Sequence, residues 1–308
     1  MCFKYIINIW TNDYMNNIEH TTNVKKIEES YLEHISERSV LHFFGDWTQN
    51  IHALREQFLG AQPFEHVVID NFLEDSYAKK ISSMFPDLGS NWHTYKNPLE
   101  VKYAYDDIDK LSIDLKNYFY YLSTPEFTDI MKNMTGIDNL VYDEYLHGAG
   151  LHMHPRNGRL NIHLDYEKHP FSGKERRLNI ILFMSNEWKP QWNGANELWN
   201  NNVTQCVAKT DVKFNRAVIF RTNDISWHGL PDKIMCPEGV FRKSLAYYYV
   251  SPLNTEKPEE MYRKKAKYTR RPVDPLNENM DKLFAIRENR RITANDLDML
   301  VPGWTPES

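Results

Sequence analysis

Residues 160–184 read LNIHLDYEKHPFSGKERRLNIILFM. Two strand-like runs, LNIHLDY (160–166) and RLNIILFM (177–184), flank a polar turn containing Pro170 and Gly173. Apolar runs of this length, bounded by turn residues, mark β-strands. More of them lie on either side: LVYDEYL (140–146), ANELWN (195–200), AVIFRT (217–222) and SLAYYYV (244–250). Short strands at this spacing point to a sandwich or barrel.

Upstream the pattern is helical. Ile27, Tyr31 and Ile35, then Ile51, Leu54 and Phe58 ahead of Gly60, form two weak apolar faces within residues 1–60. A new unit begins at PFEHVVIDNFL (63–73). Glu74 and Asp75 open a helix with Tyr77, Ile81, Met84 and Phe85 on one face, stopped at Pro86. A second helix carries Ile108, Leu111, Leu115, Phe119 and Leu122. A third has Thr124 as N-cap, Pro125 in its first position and Gly136 as its stop. Helices followed by strands predict an α+β, mainly β fold: a jelly roll with helices packed on one side. The expected organisation is an accessory helical segment over 1–60, a main domain over 61–252 and a polar extension over 253–308. Within the main domain, 74–136 is the helical part and 137–252 the jelly-roll part.

Composition limits the function. The 308 residues are 41% hydrophobic, 13% aromatic and 26% charged, which is globular. The formal charge of −5 argues against a general nucleic-acid binder, and no apolar run is long enough to span a bilayer. Cys2, Cys206 and Cys236 form no CxxC, so neither a disulfide framework nor a cysteine zinc site is expected. With no signal-peptide pattern at the N-terminus, the expected location is the cytoplasm. The sequence is silent on oligomeric state. The basic run RKKAKYTRR (263–271) reads as a solvated surface strip; the less favoured reading is a dock for an acidic substrate or partner. Phosphate-loop, nucleophile-elbow and HExxH patterns do not occur.

Chemistry concentrates in three places. On a strand, residues two apart share a face, so His163 and Asp165 project together. His228, in DISWHGLP, follows the strand AVIFRT. Two histidines and one carboxylate form the facial triad of non-haem Fe(II) oxygenases, which leaves coordination positions open. Fourteen residues on, Arg242 and Ser244 again share a strand face. A guanidinium with a neighbouring hydroxyl suits a carboxylate. Taken alone, Arg242 would read as a surface residue. After HxD and a distant histidine on successive strands, it reads as an anion anchor. His152, His154 and Arg156 suggest a lining near the site, and Trp227, beside His228, suggests a substrate contact. His169 reads as a loop residue.

The order HxD, distant His, then RxS resembles the Fe(II)/2-oxoglutarate-dependent dioxygenases, and more narrowly their prolyl-4-hydroxylase-like branch. The resemblance spans about residues 63–252 and includes YLHGAGLHMH, RRLNIILFMSNEW, GANELW and RKSLAYYY. It implies a double-stranded β-helix, Fe(II) on His163, Asp165 and His228, and 2-oxoglutarate anchored by Arg242 with Ser244. It also implies a cosubstrate contact from Tyr145. Where relatives often carry a tyrosine this chain has Met184, with Asn179 as a possible stand-in, and GANEL holds one glycine, Gly194, where relatives often hold two. Related halogenases lack the carboxylate, so Asp165 favours hydroxylation: O₂ and 2-oxoglutarate are consumed, succinate and CO₂ released, and an aliphatic carbon oxidised. A prolyl or other amino-acid side chain, in a peptide or free, is the leading substrate class; a small metabolite or sugar is the alternative. A non-catalytic binding or sensor module is an alternative from another class, disfavoured by the intact triad and Arg242, since a decayed site would lose ligands; a zinc hydrolase with the same ligands would leave Arg242 and Ser244 without a role.

Overall fold

The computed structural model describes residues 39–143 and 145–308. Cys2 and the helical face of Ile27, Tyr31 and Ile35 lie outside the described residues. Residues 41–308 form one compact unit.

Four helices precede most of the strands: α1 (Ile51–Gly60), α2 (Asp75–Ser83), α3 (Ile113–Ser123) and α4 (Pro125–Thr135). The ends of α2 and α4 follow the capping signals. The Glu74 carboxylate accepts from Tyr77 N, the Thr124 hydroxyl accepts from Phe127 N, and Gly136 ends α4 at φ 71°. One helix differs from expectation. Ile108 sits in a separate single turn, Ile108–Lys110, because Leu111 and Ser112 are extended and Ser112 becomes the cap of α3.

Thirteen strands occur among the described residues. In chain order they are β1 (His66–Ile69), β2 (His93–Asn97), β3 (Glu100–Tyr105), β4 (Val141–Tyr142), β5 (Gly150–His154), β6 (Arg159–Leu164) and β7 (Glu175–Phe183). Then come β8 (Asn196–Trp199), β9 (Cys206–Thr210), β10 (Arg216–Arg221), β11 (His228–Leu230), β12 (Arg242–Ser251) and β13 (Lys267–Tyr268). The main path is β1-β10-β7-β12-β5-β3-β6-β11-β8-β9. The path folds back on itself: Leu198 of β8 packs in one cluster with Phe183 of β7 and with Val218 and Phe220 of β10. This is a jelly roll, or double-stranded β-helix.

β12 shows how the site is positioned. It is buried along almost its whole length, so both of its faces are covered. The odd-numbered side chains meet the helices: Tyr249 donates to Leu122 O, and the Tyr247 hydroxyl lies 2.8 Å from the Ser123 hydroxyl. The even-numbered ones, Arg242, Ser244, Ala246 and Tyr248, line the interior cavity.

Three regions depart from the sequence reading. β2 and β3 precede α3, and β3 bridges the two halves of the sheet between β5 and β6. The run 140–146 yields only two strand residues. The segment after Ser251 is not a solvated tail. β13 pairs with β6, and α5 (Glu278–Arg287) and α6 (Ala294–Leu300) pack over it, with Leu283 and Tyr268 buried beside Leu99. Its polar composition hides two buried anchors, Tyr268 and Leu283, and seven partly buried apolar residues around them, which suffice to dock it. No helix among the described residues is long and apolar enough to cross a membrane.

Candidate active site

His163 lies near the end of β6 and Asp165 just beyond it; His228 opens β11. Antiparallel pairing places His163 and His228 directly opposite each other, with ring centroids 4.4 Å apart. Ligand atoms of the three residues all lie within 4.8 Å of one another. His163 Nε2 is 3.6 Å from Asp165 Oδ1, and His228 Nε2 is 3.8 Å from Oδ2. Each Nδ1 lies 2.9 Å from a backbone carbonyl, of Asn161 and Ser226 respectively. A carbonyl only accepts, so each Nδ1 carries the proton and donates. That fixes the tautomer and turns both Nε2 lone pairs toward the carboxylate, as a metal requires. Burial, reinforced by the neighbouring His163, lowers the His228 pKa to about 4, so this ring is neutral.

Asp165 is held ionised. Burial pushes its pKa up, but the Arg176 guanidinium outweighs that and holds it well below the usual carboxylate range. Arg176 Nη1 lies 3.5 Å from Asp165 Oδ2, and the guanidinium is clamped between the Tyr166 and Tyr248 rings at 3.6 and 3.4 Å. Asn179 Nδ2 donates to Asp165 Oδ2 at 3.3 Å. Asn179 thus sits beside the acid, whereas Met184 is fully buried away from the cavity.

These residues border a cavity of roughly 190 Å³. Elsewhere in its wall, Arg242 is 1% exposed. Its Nε donates to Gly194 O at 2.6 Å, its guanidinium lies over the Phe183 ring, and its Nη2 has no partner. Burial alone pushes its pKa down to about 9. Gly194 is required here: its φ is +87°, and a Cβ would stand 3.0 Å from Arg242 Cδ. Ser244 lies one pleat along. His154 and His152 pair with Arg242 and Ser244 across β5. Both His154 ring nitrogens, Asn196 Nδ2 and Asn179 Oδ1 are buried without partners and line the same cavity. The donors among these atoms, Asn196 Nδ2 and the unpaired Arg242 Nη2, are what a bound polar anion would satisfy.

The structure brings His163, Asp165, His228, Arg242, Ser244, His152 and His154 to this cavity and leaves three sequence candidates outside it. Tyr145 is 47% exposed and stacks near His169 and Phe171, because the strand before the triad ends at Tyr142. Trp227 packs with Ile162, Leu164, Trp199 and Val203 on the other side of the strand from His228. Arg156 turns away and donates to Cys236 O. His169 is fully buried, 3.2 Å from Asp143.

Sequence reasoning missed Arg176, Lys102, Tyr166, Tyr248 and Tyr268, all of which line the cavity. Arg176 carries a specific reason. The register of β7 against β12 shifts between Tyr249 and Val250, so Leu178 and Arg176 pair with consecutive residues and Arg177 is left over. The extra residue reverses side-chain parity and turns Arg176 inward.

A jelly roll carrying two imidazoles, one carboxylate and an unpaired buried guanidinium in a single cavity has the make-up of the non-haem iron oxygenases. Residues 149–250 match the family model of the 2OG-Fe(II) oxygenase superfamily. That stretch is a third of the chain and holds His163, Asp165, His228, Arg242 and Ser244; over it the chain is similar to the dioxygenases that use Fe(II) and 2-oxoglutarate. Solved structures of similar outline include a prolyl hydroxylase from Trichoplax adhaerens crystallised with a hypoxia inducible factor peptide fragment. It is 17% identical, with 68% of this chain and 96% of that one covered and a TM-score of 0.49. A Pseudomonas putida prolyl-4-hydroxylase is 12% identical, with 65% and 99% covered and a TM-score of 0.44. HygX from Streptomyces hygroscopicus, solved with nickel, 2-oxoglutarate and hygromycin B, is 10% identical, with 63% and 85% covered and a TM-score of 0.38. Likeness at this level says nothing of substrate. No curated protein matches the chain.

Proposed function

We propose that the protein hydroxylates an aliphatic carbon, with His163, Asp165 and His228 holding Fe(II) and Arg242 and Ser244 holding the distal carboxylate of 2-oxoglutarate. The observation that carries this reading is Arg242: a buried cation whose Nη2 lacks a partner, in the same cavity as the three ligand side chains. When bound, iron supplies O₂ activation coupled to oxidative decarboxylation of 2-oxoglutarate. The protein's own residues do the rest. Asn161 O and Ser226 O hold both imidazoles in the ligating tautomer. Arg176 keeps Asp165 ionised and oriented. Gly194 gives the Arg242 side chain room and an acceptor. The presence of Asp165 supports hydroxylation over halogenation.

An amino-acid side chain remains the leading substrate class, on the strength of the prolyl-4-hydroxylase-like motifs. A small metabolite is the alternative. Product analysis under ¹⁸O₂ tests the proposal. Hydroxylation predicts one ¹⁸O in succinate and one in the oxidised product. Succinate labelled without any labelled co-product, across a broad panel of amino acids, peptides and metabolites, contradicts it.

A further inference from the structure

The cavity wall is strongly cationic in a chain whose formal net charge is −5. Seven Lys and Arg side chains line it against three carboxylates. Three of those cations are accounted for. Arg176 lies beside Asp165, Arg287 donates to Glu100 at 3.0 Å, and Arg242 faces the proposed cosubstrate position. The third carboxylate, Asp106, lies 3.1 Å from His93. Four cations are left: Lys102, Lys264, Lys265 and Arg291. Fe(II) and 2-oxoglutarate, at +2 and −2, cancel each other and leave that surplus in place.

Lys102 is the deepest of the four. It projects from β3, on the same face as Glu100 and Ala104, and its side chain is 15% exposed. Its only carboxylate neighbour among the described residues is Glu100 at 3.8 Å, and Glu100 already accepts from Arg287 and from the Tyr268 hydroxyl. Burial therefore prevails and pushes the Lys102 pKa down. Tyr95 lies between two cations: Lys102 at 5.1 Å and Arg291 at 5.4 Å from its ring, with Arg291 also donating to its hydroxyl. Lys264 and Lys265 are exposed at the cavity edge and, like Arg291, have no carboxylate within 4.0 Å among the described residues. Three of these four come from the C-terminal segment that docks on β6, so that segment supplies a wall of the site.

We infer that the primary substrate carries an oxyanion, a carboxylate or a phosphate, which Lys102 receives with Lys264, Lys265 and Arg291 at the rim. This deepens the proposed function and rests on it. An ammonium at the inner end of an electropositive funnel both orients such a group and raises its local concentration. The substrate then meets the iron with its anionic end fixed on the β3 side and its target carbon toward His163 and His228. Neutral sugars and cationic side chains are disfavoured.

The test uses holoprotein loaded with Fe(II) and 2-oxoglutarate under argon. Formation of the 2-oxoglutarate charge-transfer band reports the underlying reading separately. Acetate, inorganic phosphate and neutral acetamide are then titrated by calorimetry into wild type, Lys102→Met, Lys102→Arg and the double variant Lys264→Met/Lys265→Met. The inference expects anions to bind and acetamide not to. It expects anion affinity to fall at least tenfold in Lys102→Met with the band intact, to recover in Lys102→Arg, and to lose salt dependence in the double variant. The tighter of the two anions identifies the oxyanion. Anion binding equal to that of acetamide, or unchanged in Lys102→Met, overturns the inference. Loss of the band in Lys102→Met also overturns it, by assigning Lys102 to the cosubstrate. Absence of the band in wild type defeats the proposed function itself.

Discussion

Replacing Arg242 with Met should make the metal-free protein more stable and abolish cosubstrate binding. The side chain is 1% exposed, and burial pushes its pKa from 12.5 down to about 9. That difference of three to four pH units, at about 1.4 kcal/mol each, sets the cost of the buried cation on the order of 4–5 kcal/mol. Methionine fills similar space without the charge. It forfeits the Nε bond to Gly194 O, which leaves that carbonyl unpaired at a cost of about 1–3 kcal/mol. The net expectation is stabilisation by roughly 1–4 kcal/mol, a rise of several degrees in Tm for a chain of this size. Binding moves the other way. Losing two charge-assisted hydrogen bonds costs about 3–6 kcal/mol, a 10²- to 10⁴-fold weaker 2-oxoglutarate complex. Urea unfolding of metal-free protein, with and without Mn(II) and 2-oxoglutarate, reads both effects. Wild type should gain stability from the cosubstrate and the variant should not. A variant that is less stable when metal-free and still gains stability from 2-oxoglutarate would refute the reasoning.

Other predictions follow from the same geometry. Arg176→Met leaves a buried carboxylate facing two imidazoles without its cation; metal affinity should fall 10- to 100-fold in a metal titration, and metal-free stability by about 3–5 kcal/mol. Gly194→Ala forces a Cβ at φ +87° against Arg242 Cδ; the Kd for 2-oxoglutarate should rise at least tenfold while metal affinity is unchanged. Leu283→Ala, in the buried anchor of the C-terminal segment, should cost about 2–5 kcal/mol in denaturant unfolding. Asp70, bonded by Arg216 and Lys213, has its pKa lowered to about 2 from 3.8, so its contribution is present above about pH 4 and lost as pH falls toward 2. Because Asp70 is partly exposed, screening limits that contribution to about 1 kcal/mol. Asp70→Asn should be less stable than wild type at pH 6, with the gap closing between pH 4 and 2.

The legible part of the site was the part governed by strand periodicity. His163 with Asp165, and Arg242 with Ser244, share faces because residues two apart must. His228 joins them because antiparallel pairing sets it opposite His163. What escaped has definite causes. A bulge in β7 reverses the parity that would have exposed Arg176 as an inward residue. β3 turns Glu100 and Lys102 into the cavity, so it lacks the apolar alternation that marks a strand. The C-terminal segment reads as solvated because its docking rests on Tyr268, Leu283 and seven partly buried neighbours among many charges. Tyr145 and Trp227 failed as candidates because nearness in sequence does not set direction. One follows a strand that ends early, and the other points to the opposite side of its strand from His228.

The central claim is that His163, Asp165 and His228 hold iron within reach of a cosubstrate fixed by Arg242. The most direct test is an anaerobic visible spectrum of metal-stripped protein titrated with Fe(II) and then 2-oxoglutarate, in wild type, His228→Ala and Arg242→Ala. The account predicts a charge-transfer band that needs both additions in wild type and is lost in each variant at the same concentrations. Fe(II) binding to wild type with no band on adding 2-oxoglutarate, or an undiminished band in either variant, would contradict it.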